Sequence, residues 1–342
     1  MKLKGAMFMI WIEFAVCAAL IVAAATQLSR YGDVLAEKTG LGRAWVGGIL
    51  LAGVTSLPEL VSGVSAVVWL NAPNLAAGSI LGSCLFNLML IALMDLAYQP
   101  GSILAKAQEG HILSAGLGVL LLALTAAGAM LGGDINGYGL FGFSVVSLTI
   151  VIVYAVGARL IALFEQRRLA EVLEQEAEAR HYDQIKPAHA YAAFVLSSIA
   201  VVALGVWLSF IGDRLSTETG LSRSFVGNLF LATSTSLPEV AASLAAVRLG
   251  AIDLAVSNAL GSNVVNIMLF AIFDLADGQK NFWSTMSVAN EFAAAVAIMM
   301  TAVAIISLIY RASPKTPYRL NWDGVALLAM YGGAMVVLYR MG

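Results

Sequence analysis

The sequence predicts an all-α polytopic membrane protein of ten transmembrane helices, arranged as two five-helix repeats of inverted topology. Three observations carry that prediction. The 342-residue chain is 60% hydrophobic and 12% charged, and its apolar residues fall into ten runs of about the 20 residues that span a hydrocarbon core. The segment Ala52-Gly53-Val54-Thr55-Ser56-Leu57-Pro58-Glu59 recurs as Ala232-Thr233-Ser234-Thr235-Ser236-Leu237-Pro238-Glu239. Five spans per half is an odd number, so the second half is expected to enter the membrane the opposite way round.

Taken in order, the spans lie at roughly 8–29, 44–69, 73–97, 109–131, 139–163, 189–211, 224–248, 252–276, 287–310 and 322–340. Lys2 and Lys4 precede the first run as they would in a signal peptide, but the run has an equivalent in the second half and no clear small-residue cleavage site, so it is read as a retained helix. The fifth and sixth spans are joined by a polar stretch from Glu165 to Lys186, expected to be a solvated helical linker. The domain division is therefore a first repeat over 1–163, a linker over 164–188 and a second repeat over 189–342.

The two halves keep register outside the motif as well. Gly32-Asp33 and Thr39-Gly40-Leu41 match Gly212-Asp213 and Thr219-Gly220-Leu221 at an offset of 180; after one deletion, Gly82-Ser83, Asn87 and Asp95-Leu96-Ala97 match Gly261-Ser262, Asn266 and Asp274-Leu275-Ala276 at 179. Repeats of this kind mark secondary transporters, whose site lies at the midplane where the repeats meet.

An acid, two hydroxyls and a proline inside an apolar helix each cost stability in hydrocarbon, and a chain that carries the set twice is read as using it for an ion site. Pro58 has no N–H for the carbonyl of Val54, and Pro238 leaves that of Ser234 free. Each helix should kink there and offer carbonyl oxygen beside a carboxylate. Thr55 and Glu59 are four apart, as are Thr235 and Glu239, which puts hydroxyl and carboxylate on one face. Oxygen ligands with two carboxylates suit Ca²⁺ or Na⁺.

The third and eighth spans add polar stripes. Ser79, Ser83 and Asn87 recur every fourth residue, as do Asn258, Ser262 and Asn266, while Gly78, Gly82 and Gly261 would let backbones approach closely. Any one of these residues could serve helix packing alone; their recurrence in register with both motifs favours a shared site. Of the 19 basic residues, 13 fall in the odd-numbered loops and adjoining span ends (Arg30, Lys38, Arg43, Lys106, Arg159, Arg167, Arg168, Arg180, Lys186, Arg248, Arg311, Lys315 and Arg319). The positive-inside rule then puts both termini outside and the 164–188 linker in the cytoplasm.

On these residues the chain resembles the calcium/cation antiporter superfamily, near the prokaryotic sodium/calcium exchangers. The match covers two alpha-repeats, about 41–98 and 221–277, through the duplicated T-S-x-P-E and G-S-x-x-x-N. The resemblance implies a sodium/calcium exchanger-like fold in an inner membrane and Ca²⁺ exchanged for Na⁺ by alternating access. Helices two, three, seven and eight would surround the site while the first and sixth slide against the rest. It implies Glu59 and Glu239 as the principal calcium ligands, with Thr55, Ser56, Thr235, Ser236 and the carbonyls of Ala52 and Ala232 around them; Ser83, Asn87, Ser262 and Asn266 would serve flanking sodium sites. Departures from the family pattern include Val54 and Ser234 before T-S, Ser79 after Gly78, Cys84 after the first G-S, and amides at both 87 and 266 where one acid is common. Two carboxylates neutralise one Ca²⁺ and could equally take two protons, so H⁺-coupled exchange is the alternative.

Other classes fit less well. His111, His181 and His189 lie near span ends or in the linker, where they read as interfacial or solvated, and this speaks against an intramembrane serine protease. Asp95, Asp253, Asp274 and Asp277 sit at helix ends, and Glu13, one turn into the first span, reads as an interfacial carboxylate. Trp69, Trp207, Tyr318 and Tyr339 look like interfacial anchors. A passive cation channel is the remaining alternative from another class. Cys17 and Cys84 lie in apolar segments and imply no disulfide framework. No enzymatic activity, cofactor or nucleic-acid partner is expected; the partners are inorganic cations and the lipid bilayer, and the sequence leaves the oligomeric state open, a monomer included.

Overall fold

The computed structural model describes residues 2–40, 42–98, 101–131, 143–175, 184–219, 235–278, 282–311 and 320–341. In chain order its main helices are α1 (Lys2–Thr39), α2 (Arg43–Thr55), α3 (Leu57–Val68), α4 (Pro73–Ala97), α5 (Gly110–Leu131), α6 (Val145–Gln175), α7 (Pro187–Thr219), α8 (Leu237–Arg248), α9 (Ile252–Asp277), α10 (Val288–Tyr310) and α11 (Trp322–Met341). Among the described residues eight helices are long and apolar enough to cross a membrane. The α2–α3 pair, bent by 41°, makes a ninth if counted as one span. The expected seventh span, 224–248, is described only from residue 235 onward.

The interior is built around α4 and α9. Their apolar windows are 72% and 78% buried by the rest of the protein, against 22% for α1, α6 and α7 and 17% for α11. That contrast explains why small and polar residues concentrate on α4 and α9: they face protein, where hydrogen bonds can be supplied, and the outer helices present Leu, Ile and Val to lipid. A close backbone approach joins α2 to α9. Residues Val46–Leu51 form a π turn within α2, and a side chain on Gly261 would collide with the backbone of Gly48. The expected role of Gly261 in close packing therefore holds; no described residue lies within 4 Å of where a Gly82 side chain would project.

The outer pair α1 and α7 is the most extensive helix contact. Tyr31 Oη lies 3.3 Å from His189 Nε2, and Cys17 Sγ donates to the Leu204 carbonyl at 3.3 Å. Gly205 on α7 lies against the rings of both Pro58 and Pro238, so this helix crosses the two repeated motifs at a point where a side chain would collide with Pro58.

Several expectations about the polar ends change. The first helix continues past 29 to Thr39, because Asp33 is buried and paired with Arg43, which compensates charges that would otherwise end the span. Glu165 belongs to the packed part of α6 rather than to a solvated linker: it is 4% exposed and lies against Gly42 and Gly110. His111 is fully buried, with Nε2 2.9 Å from Asp253 Oδ1, instead of facing solvent or the interface. His181 and Tyr318 lie outside the described residues. The duplicated acids at 95 and 274 act on backbone. Asp95 accepts from the N–H groups of Ile103 at 2.8 Å and Asn321 at 3.4 Å, and Asp274 accepts from that of Ser144 at 2.8 Å.

Candidate ion-binding site

Each repeated motif restarts a helix in the protein interior. Ser56 (φ −85°, ψ 3°) and Ser236 (φ −86°, ψ 1°) occupy the same sparsely populated bridge conformation, each immediately before a 12-residue helix with proline in its first turn. Proline is tolerated there because a first-turn N–H has no intrahelical partner. The matched restart places Glu59 and Glu239 in the first turns of α3 and α8, where the helix dipole favours negative charge. Both side chains are buried, at 1% and 0% exposure.

The motifs interlock across the repeats. Ser56 Oγ donates to Glu239 Oε1 at 3.4 Å, and the Ser236 hydroxyl lies 3.4 Å from Glu59 Oε1 and 3.1 Å from Ser83 Oγ. Thr235 also faces Glu59 and Thr55 faces Glu239, while the two carboxylates are close enough to repel each other. Each glutamate is thus oriented by hydroxyls from the other half of the chain. Each also retains one oxygen, Oε2, with no hydrogen-bond donor among the described residues. Among the described residues neither forms an ion pair with a basic side chain.

The stripes on α4 and α9 carry further buried polar side chains. Asn87 Nδ2 donates to Asn263 Oδ1 at 3.1 Å, and Asn263 Nδ2 donates to the Cys84 carbonyl at 3.2 Å. Asn258 Nδ2 donates to Ser243 Oγ at 2.9 Å. Buried atoms without a hydrogen-bond partner are Ser79 Oγ, Asn87 Oδ1, Asn258 Oδ1, Ser262 Oγ and both polar atoms of Asn266. Unpaired buried polar atoms are rare in folded proteins, and a set of them on the helices that pack against the two motifs, with two unpaired carboxylate oxygens, offers oxygens of the kind a hard cation takes.

Of the sequence-predicted residues, Ser56, Ser236, Ser83, Thr55 and Thr235 meet around Glu59 and Glu239, and Asn87 is bonded to Asn263; Ser262 and Asn266 are buried on α9, and among the described residues no hydrogen bond ties them to the glutamates. Two carbonyls stand apart. Ala232 lies outside the described residues. The Ala52 carbonyl, expected among the free oxygens, accepts from Ser56 N at 3.0 Å and Thr55 Oγ1 at 3.2 Å. Asn263 is the residue that sequence reasoning missed. Its only signal was the G-S-N run of the second repeat, which lost its counterpart because position 84 is cysteine. Glu13 lies away from the cluster and joins α1 to α7, with Oε1 3.2 Å from Trp207 Nε1 and Oε2 3.1 Å from Arg214 Nη1. Trp207, expected as an interfacial anchor, is thereby a hydrogen-bond donor to that carboxylate.

Residues 9–158 and 189–340 match the family described as sodium/calcium exchanger protein. The chain belongs to the sodium/calcium exchanger family. Among curated family relatives, the inner membrane protein YrbG of Escherichia coli is 26% identical over 73% of this chain and 74% of its own length. The membrane protein MJ0091 of Methanocaldococcus jannaschii is 26% identical over 87% of both chains. The sodium/calcium exchanger MaX1 of Methanosarcina acetivorans is 31% identical over 35% of this chain and 32% of its own. The solved sodium-calcium exchanger NCX_Mj, soaked with 10 mM Na⁺ and zero Ca²⁺, shares the fold. It superimposes with a TM-score of 0.70 at 17% identity, over 96% of this chain and 98% of that one. The chain is thus an integral membrane protein of an exchanger family with prokaryotic relatives.

Proposed function

We propose that this protein exchanges Ca²⁺, or a related divalent cation, for Na⁺ across a prokaryotic inner membrane by alternating access at one site near the bilayer midplane. The observation that carries the reading is the pair of buried glutamates, Glu59 and Glu239, each held by a serine of the other repeat and each keeping an oxygen without a donor. Burying two carboxylates near each other is costly unless a positive charge joins them. Among the described residues the protein supplies no such charge from a basic side chain, so a cation from solution is the natural partner. A divalent ion would be balanced by the two glutamates and surrounded by Thr55, Ser56, Thr235 and Ser236, with backbone carbonyls that include Ala52 and Ala232. Ser83, Asn87, Ser262 and Asn266 would serve sodium beside it.

The matched serine conformations and the reciprocal bonds between motifs support two repeats of five helices, with residues 224–248 as the seventh of ten spans. The partition of basic residues supports external termini and a cytoplasmic 164–188 linker. An engineered Glu174→Cys should accordingly react with a membrane-impermeant thiol reagent only from the cytoplasmic side. Because the site has two carboxylates and amides at 87 and 266, exchange should carry less charge per cycle than a three-sodium mechanism would.

Liposomes test the reading directly. Vesicles holding the purified protein are loaded with Na⁺ or with acid, and uptake of radiolabelled Ca²⁺ is followed. The expected result is uptake driven by the outward Na⁺ gradient alone. Uptake with no counter-ion inside would replace the exchanger by a passive channel, and uptake driven by acid would replace Na⁺ by H⁺.

A further inference from the structure

We infer that Asn263 is a positioning residue of the ion site: it holds the Asn87 amide with its oxygen free for Na⁺, whereas Asn266 has no such brace. The inference rests on the site proposed above and adds an inequality between its two flanking positions.

The orientation is fixed by backbone. The Cys84 carbonyl can only accept, so the Asn263 atom facing it at 3.2 Å must be Nδ2. That turns Asn263 Oδ1 toward Asn87, 3.1 Å away, and an oxygen there must meet a donor. The Asn87 nitrogen is therefore committed, and Asn87 Oδ1 is left buried and unpaired, one turn along α4 from Ser83. Reversing the Asn87 amide would set oxygen against oxygen, and reversing both amides would set a nitrogen-free edge against the Cys84 carbonyl. The chain of two hydrogen bonds thus selects one amide orientation, the one that presents an oxygen to a cation.

The other half of the molecule lacks the device. The register that pairs Asn87 with Asn266 pairs Asn263 with Cys84. The Cys84 thiol lies beside the Asn266 amide and offers it only the weak contact of a sulfur, and among the described residues neither Asn266 polar atom meets a nitrogen or oxygen partner. A thiol is a weak donor and a weak acceptor, so it does not choose between the two amide orientations. Asn87 is preorganised for Na⁺, and Asn266 must be turned when the ion arrives, at a cost in affinity.

The test exchanges the two residues. Asn263→Cys installs what the first repeat already carries at the same register, so the fold has a precedent for it. The reading is the Na⁺ concentration for half-maximal Ca²⁺ exchange in liposomes, with the melting temperature as a check on folding. Asn263→Cys should raise that concentration about fivefold, the equivalent of one neutral hydrogen bond. In an Asn87→Asp background the same change should cause no rise, because a carboxylate has no donor end to misplace and the facing oxygen is gone. The reciprocal Cys84→Asn should lower the Na⁺ requirement by bracing Asn266, and it carries the test by itself if Asn263→Cys does not fold. Equal weakening by Asn263→Cys in both backgrounds would mean a merely structural role and overturn the inference, as would an unchanged or higher Na⁺ requirement in Cys84→Asn. Asn87→Ala separates the two levels of argument. If it weakens Na⁺ dependence and Asn263→Cys does not, only the inference fails; if Asn87→Ala leaves Na⁺ dependence unchanged, the site itself is misassigned.

Discussion

The polar stripes of α4 and α9 carry the same serine and asparagine at 83 and 87 as at 262 and 266, yet the structure engages them differently. On α4, Ser83 meets Ser236 and Asn87 is tied to Asn263; on α9, Ser262 and Asn266 meet no nitrogen or oxygen partner among the described residues. The glutamates beside them show the opposite behaviour, since Ser56 and Ser236 reach across to Glu239 and Glu59 at the same 3.4 Å. Duplication therefore produced a symmetric pair of carboxylates among neutral polar side chains that are engaged asymmetrically. The lesson is energetic. A divalent charge demands both carboxylates alike, whereas neutral oxygens can diverge without leaving charge uncompensated, and they are where ion preference can be tuned.

Where the halves match, substitutions should have large and equal effects. Glu59→Gln and Glu239→Gln each keep side-chain shape and remove one of two negative charges. Each should weaken Ca²⁺ binding on the order of a hundredfold, about 3 kcal/mol for a charged contact, and abolish exchange while folded protein remains in the membrane. Radiolabelled Ca²⁺ flux measures this. A variant that transported at the wild-type rate would mean that its half contributes no charge to the site.

Where the halves differ, adding a charge should have unequal effects. Asn266→Asp places a carboxylate where, among the described residues, no nitrogen or oxygen group bonds the side chain. Attraction to the cation at an effective dielectric near 20, discounted for burying the new acid, supports a gain of about tenfold in Ca²⁺ affinity. Asn87→Asp should gain less, because one of its oxygens would face the Asn263 oxygen that now accepts a hydrogen bond. Equilibrium Ca²⁺ titration of the two variants gives the ratio directly, and equal gains would remove the distinction drawn between α4 and α9.

The point where one helix touches both halves offers a steric version of the comparison. A methyl group added at Gly205 would collide with Pro58 but would fall 3.5 Å from the Pro238 ring, an ordinary contact. Gly205→Leu should lift α7 from the kinks at an overpacking cost of about 1–3 kcal/mol, read as a lower melting temperature and slower exchange. Shortening the proline should relieve it, and Pro58→Ala in the Gly205→Leu background should restore more than Pro238→Ala does. Equal rescue would mean that α7 seats on both motifs alike.

Much of this was legible in the sequence because polar residues stand out in apolar runs. Glu59, Glu239 and the stripes are costly in hydrocarbon, and the prolines mark the helix restarts where the structure has them. What was hidden depends on partners far away along the chain. The burial of His111 is compensated by Asp253, 142 residues on, and that of Asp33 by Arg43 across a helix end. No periodicity reports such pairs. Asn263 was hidden for a different reason: a comparison of repeats discards positions that differ, and the difference at 84 and 263 is what breaks the symmetry of the site.

The smallest effects should come from Asp95 and Asp274, which the repeat duplicates as faithfully as it does the glutamates. If duplication by itself marked ligands, these acids would belong to the site. The structure gives them other work: Asp95 accepts from the N–H groups of Ile103 and Asn321, and Asp274 from that of Ser144, each joining the end of a central helix to the segment packed beside it. An asparagine keeps an acceptor oxygen at the same reach but loses the charge that strengthens the bond, so Asp95→Asn and Asp274→Asn should each cost about 1 kcal/mol of stability. Asp95→Asn should cost the more, since two backbone donors rely on it. Neither should move the Ca²⁺ or Na⁺ concentration for half-maximal exchange once the folded fraction is taken into account. Thermal unfolding in detergent together with flux in liposomes separates the two quantities. A shift in ion affinity without a loss of stability would place these acids among the ligands, and the division between structural and ion-binding copies of the repeat would have to be redrawn.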